Sequence, residues 1–182
     1  MTESLTWEFV RPAIKGDVAE VEALALSAAT EISFNAVSHL VVVADMSSAT
    51  WGSTGTHEVF TVTGAVRLRL WAICTSTLTD AADLAEIRLG TESDVNGWIA
   101  ATGAAGKGGV ALTAGGFWCS TAGTVAHGAA SAVVLDKVIG GGLDVGYRIT
   151  GENLTGGTLE FHCVWEKLAA DGNVVAGAGG AL

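Results

Sequence analysis

Apolar and polar residues alternate along several stretches of this chain, which is the pattern of half-buried β-strands. The longest such stretch covers residues 57–72, where one parity is apolar, as at Phe60 and Leu68, and the other includes Arg67. A period of two over this length predicts one long strand, with a bend at Gly64.

The same reasoning predicts further strands within residues 31–34, 39–44, 86–89, 130–139, 143–150 and 158–168. Glycines, 25 in all, lie between these runs and are typical of turns. Seven to nine strands with one apolar face each need a second sheet to cover that face. The pattern therefore predicts an all-β fold, an antiparallel β-sandwich of jelly-roll-like topology.

The composition along the chain predicts three parts. Residues 1–30 form an N-terminal arm or short helix, residues 31–168 the β-sandwich domain, and residues 169–182 a flexible Gly/Ala-rich C-terminal tail. Within the arm, residues 17–30 fit either a short helix, with Asp17 and Glu20 as a capping pair, or a strand.

The charge balance is acidic, with 9 basic and 19 acidic residues and a formal net charge of −10. Nucleic-acid binding needs clustered Lys and Arg, and the cations here are scattered, so no nucleic-acid partner is expected. The uncharged stretch 108–135 is too rich in Gly, Ala, Ser and Thr for a spanning helix, so no membrane partner is expected either.

The reactive side chains form no recognisable catalytic motif. Cys74, Cys119 and Cys163 are widely spaced and have no metal-ligand spacing, which favours free buried thiols. The four histidines share no ligand spacing, and His162 is placed on the polar parity of its strand, where a solvated side chain is expected. We therefore expect a non-enzymatic protein with no catalytic, cofactor-binding or metal-binding residues.

Candidate partner contacts are aromatic and apolar residues outside the predicted core. Trp7, Phe9 and Val10 form an apolar patch in the N-terminal arm. Trp51 lies in a Ser/Gly/Thr-rich loop, and Trp71 lies on the polar parity of its strand, where it either covers a second apolar layer or faces another subunit.

Several segments resemble uncharacterised virion proteins of tailed bacteriophages. The resemblance spans roughly residues 57–178 and rests on strand and turn motifs: TVTGAV (61–66), TLT (77–79), LGT (89–91), IAAT (99–102), TGGTLEF (155–161) and DGNVVA (171–176). No catalytic or cofactor residue is carried over from this resemblance.

The resemblance implies a structural component of the virion that is made in the host cytoplasm. The expected role is head decoration: a capsid decoration (cement) protein, a small cyclic homo-oligomer such as a trimer, bound to the major capsid protein. A tail or head–tail structural protein is the first alternative. A carbohydrate-binding adhesin, with Trp51 or Trp98 as stacking platforms, is the alternative from another class.

Overall fold

The structure is a computed structural model that describes residues 37–119, 125–126 and 134–182, with only the backbone described at 125–126. The predicted N-terminal arm (1–30), its helix-or-strand segment (17–30) and the strand predicted at 31–34 lie outside the described residues.

The described residues form eleven strands and little helix. The elements are β1 (Ser38–Asp45), α1 (Ala49–Gly52), β2 (Gly55–Thr63), β3 (Val66–Asp80), β4 (Glu86–Thr91), β5 (Ile99–Gly103), a 3-10 turn (Lys107–Gly109), β6 (Phe117–Trp118), β7 (Val125–Ala126), β8 (Asp136–Ile139), β9 (Val145–Thr150), β10 (Leu154–Lys167) and β11 (Asn173–Ala176).

These strands form two antiparallel sheets that pack together. Sheet A has the order β1-β10-β3-β6-β7, and β8 also pairs with β3, beside its first residues. Sheet B has the order β11-β2-β9-β4-β5. Because the chain crosses repeatedly between the sheets, β1-β10-β3-β8 faces β2-β9-β4-β5, which is the strand order of a jelly roll. The predicted antiparallel β-sandwich is confirmed.

The core lies between the sheets, because each strand turns its apolar parity inward. On β10 the predicted inward residues Leu159, Phe161, Cys163 and Trp165 are all buried. Phe161 stacks on Tyr147 of sheet B, with ring centroids 5.1 Å apart and planes 5° apart. This contact joins the central strands of the two sheets.

Two buried polar groups of the core have hydrogen-bond partners outside their own sheet. The indole N–H of Trp118, on sheet A, donates to Oγ1 of Thr102, on sheet B, at 3.0 Å. The hydroxyl of Tyr147 donates to the backbone carbonyl of Trp51. These bonds offset the cost of burying a polar group, and burial also raises the pKa of Tyr147.

The long strand predicted at 57–72 is two strands in different sheets. β2 belongs to sheet B and β3 to sheet A, and the chain changes sheet at Gly64. Gly64 has φ +61, and a Cβ there would lie 2.6 Å from the backbone nitrogen of Gly172. The alternation continues across the corner because both strands turn their apolar parity to the same core.

The predicted flexible tail is wrong for residues 173–180. β11 pairs with β2, and Val174 is buried against the core. Beyond β11, the N–H of Gly177 donates to the carbonyl of Val59 at 2.7 Å, and the N–H of Glu58 donates to the carbonyl of Gly180 at 2.8 Å. Residues 37–182 form one compact unit, so the sandwich extends past the predicted boundary at 168.

The three cysteines are free and buried, as predicted. Burial raises the pKa of each thiol, most clearly that of Cys163, whose pKa rises to about 12. All three therefore stay protonated near neutral pH.

Truncating the ring that joins the sheets should destabilise the fold strongly. Phe161→Ala removes a fully buried side chain and its stacking on Tyr147, so the free energy of unfolding should fall by about 3–5 kcal/mol. Chemical denaturation measures this loss. Phe117→Ala, which removes the same side chain from a site that is 38% exposed, is the control and should cost clearly less. Equal losses would contradict this account of the core.

The sheet-to-sheet corner should tolerate no side chain at Gly64. Gly64→Ala forces a positive φ and a backbone clash, and the free energy of unfolding should fall by about 2 kcal/mol or more. Gly140→Ala is the matched control, because a Cβ at Gly140 meets nothing within 4 Å. Thermal or urea unfolding of the two variants provides the comparison, and a neutral Gly64→Ala would refute the assigned corner.

Candidate functional site

The outward side of sheet A carries a distinct set of side chains, because alternate residues of its strands point away from sheet B. We call this surface outer face A. It consists of Val37, His39, Val41, Val43, Asp45, Arg67, Arg69, Trp71, Ile73, Phe117, Asp136, Val138, Glu160, His162, Val164 and Glu166.

Three rings stack at the centre of outer face A. Trp71 of β3 and His162 of β10 are directly paired across the strands, and their rings are 5.2 Å apart and nearly parallel, at 5°. His39 of β1 stacks on His162 at 5.3 Å and 15°. The strand register therefore assembles one aromatic row from three separate parts of the sequence.

The two histidines of this row are hydrogen-bonded to each other. Nε2 of His39 lies 3.1 Å from Nδ1 of His162, so one of the two nitrogens must accept and at least one ring must be neutral. Burial lowers the pKa of His162, and the neighbouring His39 lowers it further, against an opposing effect of Glu160. His162 therefore favours its neutral form.

Each of the two arginines of outer face A is paired with a carboxylate on the same face. Nη1 of Arg67 lies 3.1 Å from Oε2 of Glu166, and Nη2 of Arg69 lies 3.3 Å from Oδ2 of Asp136. With Asp45 and Glu160, the face has two cations and four anions, a formal charge of −2 out of the −10 of the chain. Such exposed pairs contribute little stability, but they leave the face nearly neutral.

Exposed apolar side chains concentrate on this same face. Of the ten large hydrophobic side chains that are exposed among the described residues, five lie on outer face A: Val37, Val41, Val43, Phe117 and Val138. Apolar surface gathered in one place is typical of an interaction site rather than of an ordinary solvated face.

The outward side of sheet B is different in character. Apart from the exposed Val175, its strands present threonines and charged residues: Thr56, Glu58, Thr61, Thr63, Glu86, Arg88, Arg148 and Thr150. The two sides of the sandwich therefore differ in polarity, and outer face A is the better candidate for a contact surface.

The structure separates the predicted contact residues. Trp71 lies on outer face A, while Trp7, Phe9 and Val10 lie outside the described residues. Trp51 is half-buried in α1, where its ring packs against the core and stacks on Tyr147 at 6.4 Å.

The tryptophans named as sugar-stacking platforms offer little free ring surface. One side of Trp51 is covered by Tyr147, and a Cβ at Gly179 would lie 3.0 Å from the Trp51 ring. Trp98 is only 2% exposed. Neither ring presents an open face for a sugar.

His39 and His162 were not singled out by the sequence as contact residues, and the expectation of a solvated His162 is wrong. Its side chain is 13% exposed, between Trp71 and His39. The alternation of apolar and polar residues does place both Trp71 and His162 on the outward side of long strands. Alternation alone does not predict which strands pair, or in which register, so it does not predict that Trp71 and His162 are neighbours.

No metal-binding cluster of three or more His, Cys, Asp or Glu side chains occurs in the part of the chain that the structure describes. Among the same residues, no helix has both the length and the apolar character needed to cross a membrane.

Comparison with known proteins gives no match: no family model, no curated protein and no solved structure corresponds to this chain.

The buried imidazole of His162 should make stability depend on pH. Because its pKa in the fold lies below the ordinary 6.5, the unfolded chain takes up the proton more readily. The stabilisation is present above pH ~6.5 and is lost as the pH falls through the lower pKa of the folded state. Unfolding measured between about pH 5 and 7.5 should show this loss in the wild type and a reduced loss in His162→Gln.

An NMR titration of the imidazole signals checks the same point directly, with His162→Gln used to assign the His162 signal. A pKa for His162 at or above 6.5 would contradict the described environment.

Proposed function

We propose that this chain is a structural protein of a tailed-bacteriophage virion and acts as a capsid decoration protein. It works in several copies and attaches to the lattice of the major capsid protein. The observation that carries the proposal is outer face A, an apolar and nearly neutral surface on a β-sandwich, together with the strand and turn motifs that resemble phage virion proteins.

The mechanism is adhesion through buried surface. Neutral polar and apolar groups lose little on leaving water compared with unpaired ions, and on outer face A each arginine already has a carboxylate partner. Many weak contacts on a symmetric shell add by multivalency, so no single contact has to be strong.

The N-terminal arm is the proposed contact with the capsid. Trp7, Phe9 and Val10 place two aromatic rings and a branched aliphatic side chain within four residues, the residue types that anchor interfaces when they fill a partner's pocket. The arm thus reaches the neighbouring lattice while the sandwich stays folded by its own core.

The experiment mixes the purified full-length chain with capsids assembled from the major capsid protein of the same genome, and sediments them. The chain should sediment with the capsids. The double variant Trp7→Ala/Phe9→Ala should bind at least about tenfold more weakly, because interface aromatics carry a large share of binding energy. Val175→Glu, on the outward side of sheet B, is the control and should bind like the wild type.

A chain that stays in the supernatant at every capsid concentration would overturn the capsid assignment. Sedimentation with purified tails instead of capsids would place the protein in the tail. Capsid binding that is unchanged in Trp7→Ala/Phe9→Ala would refute the role of the arm.

A further inference from the structure

We infer that outer face A is the surface through which two copies of this chain associate, each packing its outer face A against that of the other. The inference deepens the proposed function and rests on it in one respect, that a virion component works as several copies. It names the contact surface between those copies.

The first support is where the apolar surface lies. Half of the exposed large hydrophobic side chains of the described residues lie on this one face, and Val41 and Val43 stand side by side along β1. Val138, which is 64% exposed, adds apolar surface on the far side of β3, beside Arg67. Burying such side chains against a like surface removes them from water on both partners at once.

The second support is the low net charge of the face, which favours a second copy of the chain as the partner. In a two-fold symmetric contact the same patch meets itself, so any excess charge on the patch is repelled by its own copy. Arg67 and Arg69 are each matched by a carboxylate on the same face. The face carries −2 of a chain charge of −10, so two acidic chains approach through it with less repulsion than through the rest of their surface.

The third support is that the centre of the face suits burial. The rings of Trp71, His162 and His39 stack in a flat row. The two imidazoles are hydrogen-bonded to each other through Nε2 of His39 and Nδ1 of His162. The carboxylate of Glu160, 3.9 Å from Nε2 of His162, carries the excess negative charge beside this row. A flat row of stacked rings can pack against the same row of a second copy.

The other sheet supplies a matched control. Val43 on β1 and Val175 on β11 are both valines of outermost strands in their sheets, with exposures of 56% and 48%. They differ in that Val43 belongs to outer face A and Val175 to the polar side of sheet B. Both side chains already face solvent in the single chain, so a glutamate at either position leaves the core intact. At Val43 the new carboxylate also faces Glu160 across the strands, which costs some stability of the single chain.

The test is sedimentation velocity of the full-length chain over a range of concentrations. The wild type should sediment as an oligomer, and Val43→Glu should raise the dissociation constant of self-association at least about tenfold, equivalent to ~1.4 kcal/mol. Val138→Glu, on another strand of the same face, should do the same. Val175→Glu should behave like the wild type, and thermal unfolding checks that all three variants are folded.

The inference is overturned if the wild type is monomeric up to its solubility limit, or if Val175→Glu weakens association as much as Val43→Glu and Val138→Glu. A monomeric wild type whose capsid binding is abolished by Val43→Glu would give the face to the capsid protein and leave the proposed function standing. A wild type that forms an oligomer weakened by Val43→Glu, but that does not sediment with capsids, would uphold the inference and refute the proposed function.

Discussion

The mutual burial of two apolar sheet faces is the constraint on which the rest of this structure depends. Each strand turns every second residue inward, and sheets A and B cover one another through contacts such as the Phe161–Tyr147 stack. Because strand periodicity is two, fixing the inward residues also fixes the outward ones. The character of outer face A is therefore set by the same alternation that builds the core.

Much of the fold could be predicted from the sequence because alternation is a local signal. The inward residues of β10, including Phe161 and Trp165, follow from parity alone. Membership of a sheet does not, because alternation is the same on either side of Gly64 while the chain passes from sheet B to sheet A. Likewise, the Gly/Ala-rich composition around Val174 resembles a free tail, and only the long-range pairing with β2 makes it a strand.

Only one member of the stacked row on outer face A, Trp71, could be predicted from the sequence. Trp71 was identified as an outward aromatic residue, but its partners depend on strand register. His39 and His162 are 123 positions apart in the sequence and meet because β1 pairs with β10, and Trp71 joins them because β3 pairs with the other side of β10. Trp51 shows the opposite case, since a loop-like sequence packs onto the core through a ring contact with Tyr147. Pairwise register is a property of the folded chain, and a single sequence carries little trace of it.

The buried thiol of Cys163 can serve as a chemical probe of transient opening of the sandwich. Its sulfur lies on the inward side of β10, fully buried and with a pKa near 12, so an alkylating reagent reacts with it only when the sheets part. The rate at which Cys163 is alkylated therefore reports how often the two sheets separate around this residue while most molecules stay folded.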